Sequence, residues 1–259
     1  MSALTAVDEA DALEQLHRLG CTDGLPVVIP TRDRVDRCVL ATGADPTMSL
    51  GVMGPLGAAT TIERVATNAV MAGCEPDHMP IVVATLRALL RPEFDLSEAQ
   101  STTHSTTPLV VVSGPLAEAC GIAGGFGALG PGHRANASIG RAVRLSLMNV
   151  GGARPGVSDM ALLGHSGKFT MCLTENLDGS PWEPCAVAAG FDPLDSVVTV
   201  IGVEGPHSVV FVDDADDPDS PQRLLRVLAR AIANPGSNNA FMRTGSVAVA
   251  INPDHAAVL

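Results

Sequence analysis

Six of the twelve residues from Gly121 to Gly132 are glycine, and the run opens directly onto His133, Arg134, Asn136 and Ser138. Glycine lets the backbone take positive φ and approach a ligand closely, at an entropic cost. Gathering that cost ahead of the amphipathic stretch Ala137–Val150 predicts a loop feeding a helix start, with main-chain N–H groups aimed at an anion. The structural alternative is a Gly-rich loop that serves only close packing.

The rest of the chain alternates between two periodicities. Apolar residues at helical spacing mark Asp8–Leu19, Asp33–Ala41, Thr60–Met71, His78–Leu90, Ala137–Val150 and Pro221–Ala233. Strand-like runs fall at Leu109–Ser113, Phe169–Thr174, Val197–Val203, Ser208–Val212 and Ser246–Ile251, and Leu25–Pro30 reads as an edge or extended segment. Interleaved in this way, they predict an α/β fold: a mixed sheet with helices packed on it, in a single domain over 1–259 without an obvious linker. The pattern V-x-G-P recurs at Val52–Pro55, Val112–Pro115 and Val203–Pro206. It predicts strand-to-helix Gly-Pro turns at one sheet edge, because proline suits a first helical position. Asn252-Pro253-Asp254 reads as a helix cap and first turn, but the tail after it is barely more than one turn. The acidic stretch Asp213–Asp219 reads as a solvated loop.

Composition narrows the functional classes. With 16 Lys+Arg against 28 Asp+Glu, the formal charge of −12 argues against a nucleic-acid partner. No uncharged apolar run approaches the roughly 20 residues that span a bilayer, and the start of the chain lacks the signature of a signal peptide. The expectation is a cytoplasmic protein with no membrane and no nucleic-acid partner. Its six scattered cysteines read as free thiols. Tyrosine is absent, so proton transfer falls to His, Cys, Asp, Glu or Lys.

Reactive side chains gather in a few places. Gln100–Thr107 surrounds His104 with hydroxyls, including Thr102 and Thr103, that suit a polar ligand. In Gly130–Asn136, His133 can move protons, Arg134 can hold a carboxylate or phosphate, and Asn136 can cap the helix and touch the ligand. From Gly164 to Asn176 a strand would place Lys168, Thr170, Cys172 and Thr174 on one face and Glu175 on the other. A fourth, turn-rich loop, Asn176–Pro184, holds the only tryptophan, Trp182. The candidates for catalysis are therefore His133, His104, Lys168, Glu175, Cys74 and Cys172. Those for substrate binding are Gly125, Gly127, Gly130, Gly132, Arg134, Asn136, Thr102 and Thr103. A small, buried, inert thiol is the competing reading of Cys74 and Cys172.

No cofactor is implied. Gly164–Thr170 fails the phosphate-loop pattern because Phe169 follows Lys168. Gly125-x-Gly127-x-x-Gly130 matches a dinucleotide fingerprint in letters but lacks the preceding strand and the later acid. His104, His133, His165, His207, Cys172, Glu175 and Glu204 are able metal ligands, yet none has close ligand spacing, and no metal is assigned.

Several longer phrases resemble a poorly characterised bacterial family associated with small proteins that carry a UGSC or CGSC thiol/selenol motif. They are Thr22–Val28, Asn68–Cys74, Gly130–Arg141, Met148–Gly156 and Ser180–Pro184. Members of that family continue past the position of Leu259 with another helical segment, so the resemblance implies one subunit of a split, hetero-oligomeric protein, and it inclines the chemistry toward sulfur or redox. Together the residues and the resemblance predict an enzyme acting on a small polar or anionic metabolite by proton transfer, of lyase or hydrolase type, at the Gly-rich loop. The alternatives are a non-catalytic subunit that binds a small thiol/selenol redox partner, and a metal-dependent hydrolase.

Overall fold

The fold is that of a computed structural model, which describes residues 4–214, 216–241, 245 and 247–259. The chain divides into two compact units, a division that no linker composition announces: Met1–Glu175 with Cys185–Gly205, and Asn176–Pro184 with Pro206–Leu259.

In the larger unit the order of elements is α1 (Glu9–Arg18), α2 (Arg32–Ala41), β1 (Ser49–Met53), β2 (Ala58–Thr61), α3 (Ile62–Ala72), α4 (Met79–Leu89), α5 (Leu96–Ser101), β3 (Thr107–Ser113), α6 (Pro115–Ala119), α7 (Arg134–Asn149), β4 (Cys172–Thr174), α8 (Cys185–Ala188) and β5 (Val197–Val203). This is the expected α/β fold with a mixed sheet. β3 lies in the middle, parallel to β4 and antiparallel to β5. Local chemistry explains the helix ends. Thr61 accepts a hydrogen bond from the Arg64 amide to open α3, and Gly73, at φ 86°, closes it in the left-handed conformation that glycine adopts without strain.

α7 is the central helix, and twelve of its sixteen residues are buried, so its sequence has no wide polar face. It packs along α3, and α4 packs on β5. Gly140 sits where α7 meets the chain entering β4; a Cβ there would lie 2.7 Å from the Met171 amide and closer still to Thr170. Two ties bind α7 to the early chain. Arg141 grips the buried Asp23 with two hydrogen bonds of 2.7 and 2.8 Å, and Asn149 donates to Asn68 and to the Cys21 carbonyl. Residues in the phrases that carry the family resemblance thus meet each other as fasteners of the fold.

Some expectations need correction. β4 is three residues long, because Ser166–Lys168 forms a 3-10 turn and the Thr170 hydroxyl is drawn to the Asn136 and Ala137 carbonyls of α7. Lys168 therefore shares no strand face with Cys172 and Thr174. Gly54-Pro55 turns a hairpin between β1 and β2 rather than leading into a helix; only Gly114-Pro115 makes the expected strand-to-helix turn, into α6. Leu25–Pro30 is extended with no ladder.

The smaller unit holds α9 (Ser220–Ile232), α10 (Asn238–Phe241) and α11 (Pro253–Val258). Ser208–Val212 forms no strand, nor do the described residues of Ser246–Ile251 (Ser246 lies outside them). The C-terminal turn does form. Asn252 accepts from the His255 amide, Ala256 is buried, and α11 packs on α9 around Leu224. The His255 ring stands edge-on to Phe211, at 5.8 Å between centroids. Arg223 covers the same ring at 5.5 Å and pairs with Asp217, while Asp213 accepts from the Ser220 hydroxyl. The acidic stretch is thus partly engaged in local bonds.

Candidate functional site

The Gly-rich segment joins α6 to α7 and lies at the carboxyl end of β4, where the Thr174 amide donates to the Ala123 carbonyl. Asn136 determines its shape. This side chain is 3% exposed; its Oδ1 accepts from the Ala123 amide at 2.9 Å, and its Nδ2 donates to the carbonyls of Ala123 at 2.8 Å and Ala128 at 3.0 Å. One buried amide therefore ties the start of the loop, Ala123, and its middle, Ala128, to the first turn of α7, and no hydrogen-bonding capacity remains on it for a ligand beyond a second lone pair on Oδ1.

Around these ties the loop is open. Two turns, Ala128 N–H to Gly125 and Gly130 N–H to Gly127, use internal donors. Among the described residues, the amides of Gly124, Gly125, Phe126, Gly127, Leu129 and Gly132 have no acceptor. Gly127 (φ 69°) and Gly132 (φ 118°) hold conformations that a side chain would oppose. Phe126 stands at the apex, wholly exposed.

His133 precedes the first residue of α7, and its Nε2 lies 3.1 Å from the Phe126 carbonyl, so the imidazole crosses the loop. Arg134 is committed elsewhere: it pairs with Glu75 at 2.5 Å and reaches the Gly73 carbonyl at the C-terminus of α3. Both side chains of that pair are half-exposed or more, the class of ion pair that contributes about 0–1 kcal/mol. An incoming anion could replace Glu75 at little loss.

The segment carrying Glu75 clamps both ends of the loop. Besides the Glu75–Arg134 pair, the Cys120 thiol donates to the Asp77 carbonyl, and the buried His78 ring accepts from the Glu75 amide while facing the Cys120 backbone. Burial is the main reason that His78 titrates below its ordinary value; Glu75 and Asp77 oppose the shift and Arg134 adds to it. At the same end of the sheet, Glu175 follows β4. It accepts from the Ser113 hydroxyl at 3.3 Å and from the Cys185 amide at 3.1 and 3.2 Å. Its carboxylate, first by hydrogen bonding, raises the Cys185 thiol above its ordinary value.

The other candidates lie apart from this loop. His104, Thr102 and Thr103 precede β3, and Lys168 precedes β4, so they sit at the amino end of the strands, while the loop is at the carboxyl end. Seven-residue β3 separates the two ends by about 20 Å. His104 lies 3.7 Å from Glu204, and Lys168 is held by the buried Asp159. His165 joins the two amino-end segments, with Nε2 at 2.8 Å from the Ser105 carbonyl and Nδ1 accepting from the Gly167 amide. The sequence reading drew these residues and the glycines toward one site; the parallel β3–β4 pair puts them at opposite ends.

Cys74 and Cys172 are buried, and burial drives both thiols up, Cys172 to about 12. Cys74 donates to the Ser138 carbonyl at 3.3 Å. Neither has the exposure that an active thiolate needs; the Arg134 charge pulls the Cys74 thiol down but burial outweighs it, and burial is the one influence on Cys172. Sequence reasoning missed Glu75, His78 and Asp159. A hint was available for Glu75, which follows the helix-closing Gly73-Cys74 directly; Asp159 lies in a stretch with no periodicity. Among the described residues, no group of three or more His, Cys, Asp or Glu is arranged to hold a metal ion, and no helix is long and apolar enough to cross a membrane. No family model, curated protein or solved structure matches the chain, so its site is read from its own geometry.

Proposed function

We propose that this protein is an enzyme acting on a small polar or anionic metabolite by proton transfer, of lyase or hydrolase type, with the Gly124–Gly132 loop as the anion cradle. One observation carries the reading: a row of main-chain donors without acceptors, on a loop whose start and middle are fastened by the fully engaged, buried Asn136. A fastened loop does not have to be ordered when the anion arrives, and the N-terminus of the sixteen-residue α7 adds its dipole. Arg134 exchanges Glu75 for the ligand, His133 carries the proton, and Glu175 is a further acid at that sheet end. The cytoplasm and a small-molecule substrate remain part of this proposal.

A second reading, favoured by the wholly exposed Phe126, makes the loop a docking tip for a protein partner, such as the small thiol/selenol protein. Calorimetric titration against a panel of small carboxylates and phosphates tests the first reading. Saturable binding that weakens about tenfold in Arg134→Ala supports it. Binding of no anion by a folded wild-type protein removes it.

A further inference from the structure

At the amino end of β3 and β4 a buried polar node has more donors than acceptors. Arg144 of α7 is 7% exposed, yet it carries a full charge into the interior. Its five N–H groups find three acceptors: Gln100 Oε1 at 3.1 Å, the Ala153 carbonyl at 3.4 Å and Asp159 Oδ2 at 2.8 Å. Lys168, its side chain 13% exposed, spends its bonds on the same carboxylate, at 2.9 Å from Oδ1 and 2.8 Å from Oδ2. Asp159 is the one carboxylate within 4.0 Å of either cation among the described residues. A buried and a part-buried cation thus share one anion, leaving a surplus positive charge where desolvation is costly.

Gln100 adds a second, independent sign. Its side chain is 97% buried, its oxygen is taken by Arg144, and its Nε2 has no partner. Covalent geometry puts that unused donor beside the guanidinium. Swapping oxygen and nitrogen would set donor against donor, so the orientation is forced. A cavity of about 10 Å³, bordered by Arg144, Lys168, Thr107, Gly167 and Thr170 but not by Gln100, adjoins the two cations of the node. That is the room one water-sized particle needs. Unspent N–H donors, surplus positive charge and a monatomic space describe an acceptor that carries a negative charge.

We propose that the Arg144–Lys168–Gln100 node binds a small inorganic monoanion of halide size, chloride being the readiest. The site lies at the opposite sheet end from the glycine loop and stands independently of the function proposed for that loop. Bound there, the anion would neutralise the node that holds the irregular chain 150–168 onto α7. Thermal melting of the whole protein in sodium chloride, with sodium gluconate at equal ionic strength as reference, provides the test. The expected result is a melting temperature that rises and saturates with chloride but not with gluconate. Lys168→Met removes the surplus charge and Gln100→Leu removes the unused donor, and each should abolish the chloride-specific part of the shift. Crystals soaked in bromide should show an anomalous peak within hydrogen-bond distance of Arg144 or Lys168. Superimposable chloride and gluconate curves in the wild type, or a bromide-soaked crystal holding only a water at the node, would overturn the proposal without reference to either variant.

Discussion

The two ends of the β3–β4 pair present opposite solutions to the problem of polar groups. At the carboxyl end the chain spends one buried amide, Asn136, to hold a loop whose own donors stay open to solvent. At the amino end it buries charge, and Asp159 ties Arg144 and Lys168 together beneath an irregular connection. Uncharged main-chain donors can be left open because water satisfies them until a ligand does. Buried charges must be matched on the spot, because an ion left alone there would cost several kcal/mol. The first end has the economy of a recognition surface and the second that of a structural lock.

The sharpest way to break the contrast is to remove the lock. Asp159→Asn leaves the buried Arg144 and the part-buried Lys168 facing a neutral amide, and urea denaturation should show a loss of about 3–5 kcal/mol. A loss under 1 kcal/mol would mean that the node is solvated and not a lock. Asn136→Ala comes next. It strands the Ala123 amide and the Ala128 carbonyl, while the Ala123 carbonyl keeps the Thr174 amide, for an expected loss of about 2–3 kcal/mol, together with loss of anion binding. If Asn136→Ala lowers stability but binds anions as before, the fastening is irrelevant to recognition.

Acid separates the ends more gently. His78 titrates below its ordinary 6.5, so the fold prefers the neutral ring. Its contribution is present above that value and fades as the pH falls below it. Asp159 behaves differently. Burial alone would raise its carboxyl, but hydrogen bonds from Lys168 and Arg144 outweigh this and hold it below its ordinary 3.8. Its contribution is present above 3.8 and is lost as the pH drops through the lowered value. Denaturant midpoints should therefore fall in two stages, the first below pH 6.5 and reduced in His78→Gln, the second below pH 3.8. A single fall confined to the lower stage would contradict the role given to His78.

The smallest effect expected on stability belongs to the loop. Gly127→Ala places a side chain at φ 69° and should cost about 1 kcal/mol, with anion affinity falling much more than stability does.

What could be read from the chain was local. The Thr61 cap, the left-handed Gly73 and the apolar runs of β3 and β5 are decided by neighbours in sequence, and the elements formed where periodicity put them. The glycine loop and its outlet into α7 were legible for the same reason. Asn136 was legible as a polar residue near a helix start, but not as a clip, because its partners lie 8 and 13 residues away along a loop without periodicity. The Arg144 node was hidden more deeply: Asp159 is 15 residues off and Gln100 is 44, and pairing at that range is set by packing. The expected length of β4 failed at Thr170, whose hydroxyl α7 captures through the gap at Gly140. The hairpin at Gly54-Pro55 went unread because a strand ending in Gly-Pro looks the same whether a helix or a second strand follows.

The central claim is that the open amides of the glycine loop receive an anion. Amide-resolved NMR titration with inorganic phosphate and a panel of small carboxylates measures it at the atoms concerned. The amides of Gly124, Gly125, Phe126 and Gly127 should shift together and saturate with at least one anion, while those of the Asp159 connection stay still. Saturating shifts that leave these four unmoved, or no saturable shift in a folded protein, would contradict the account.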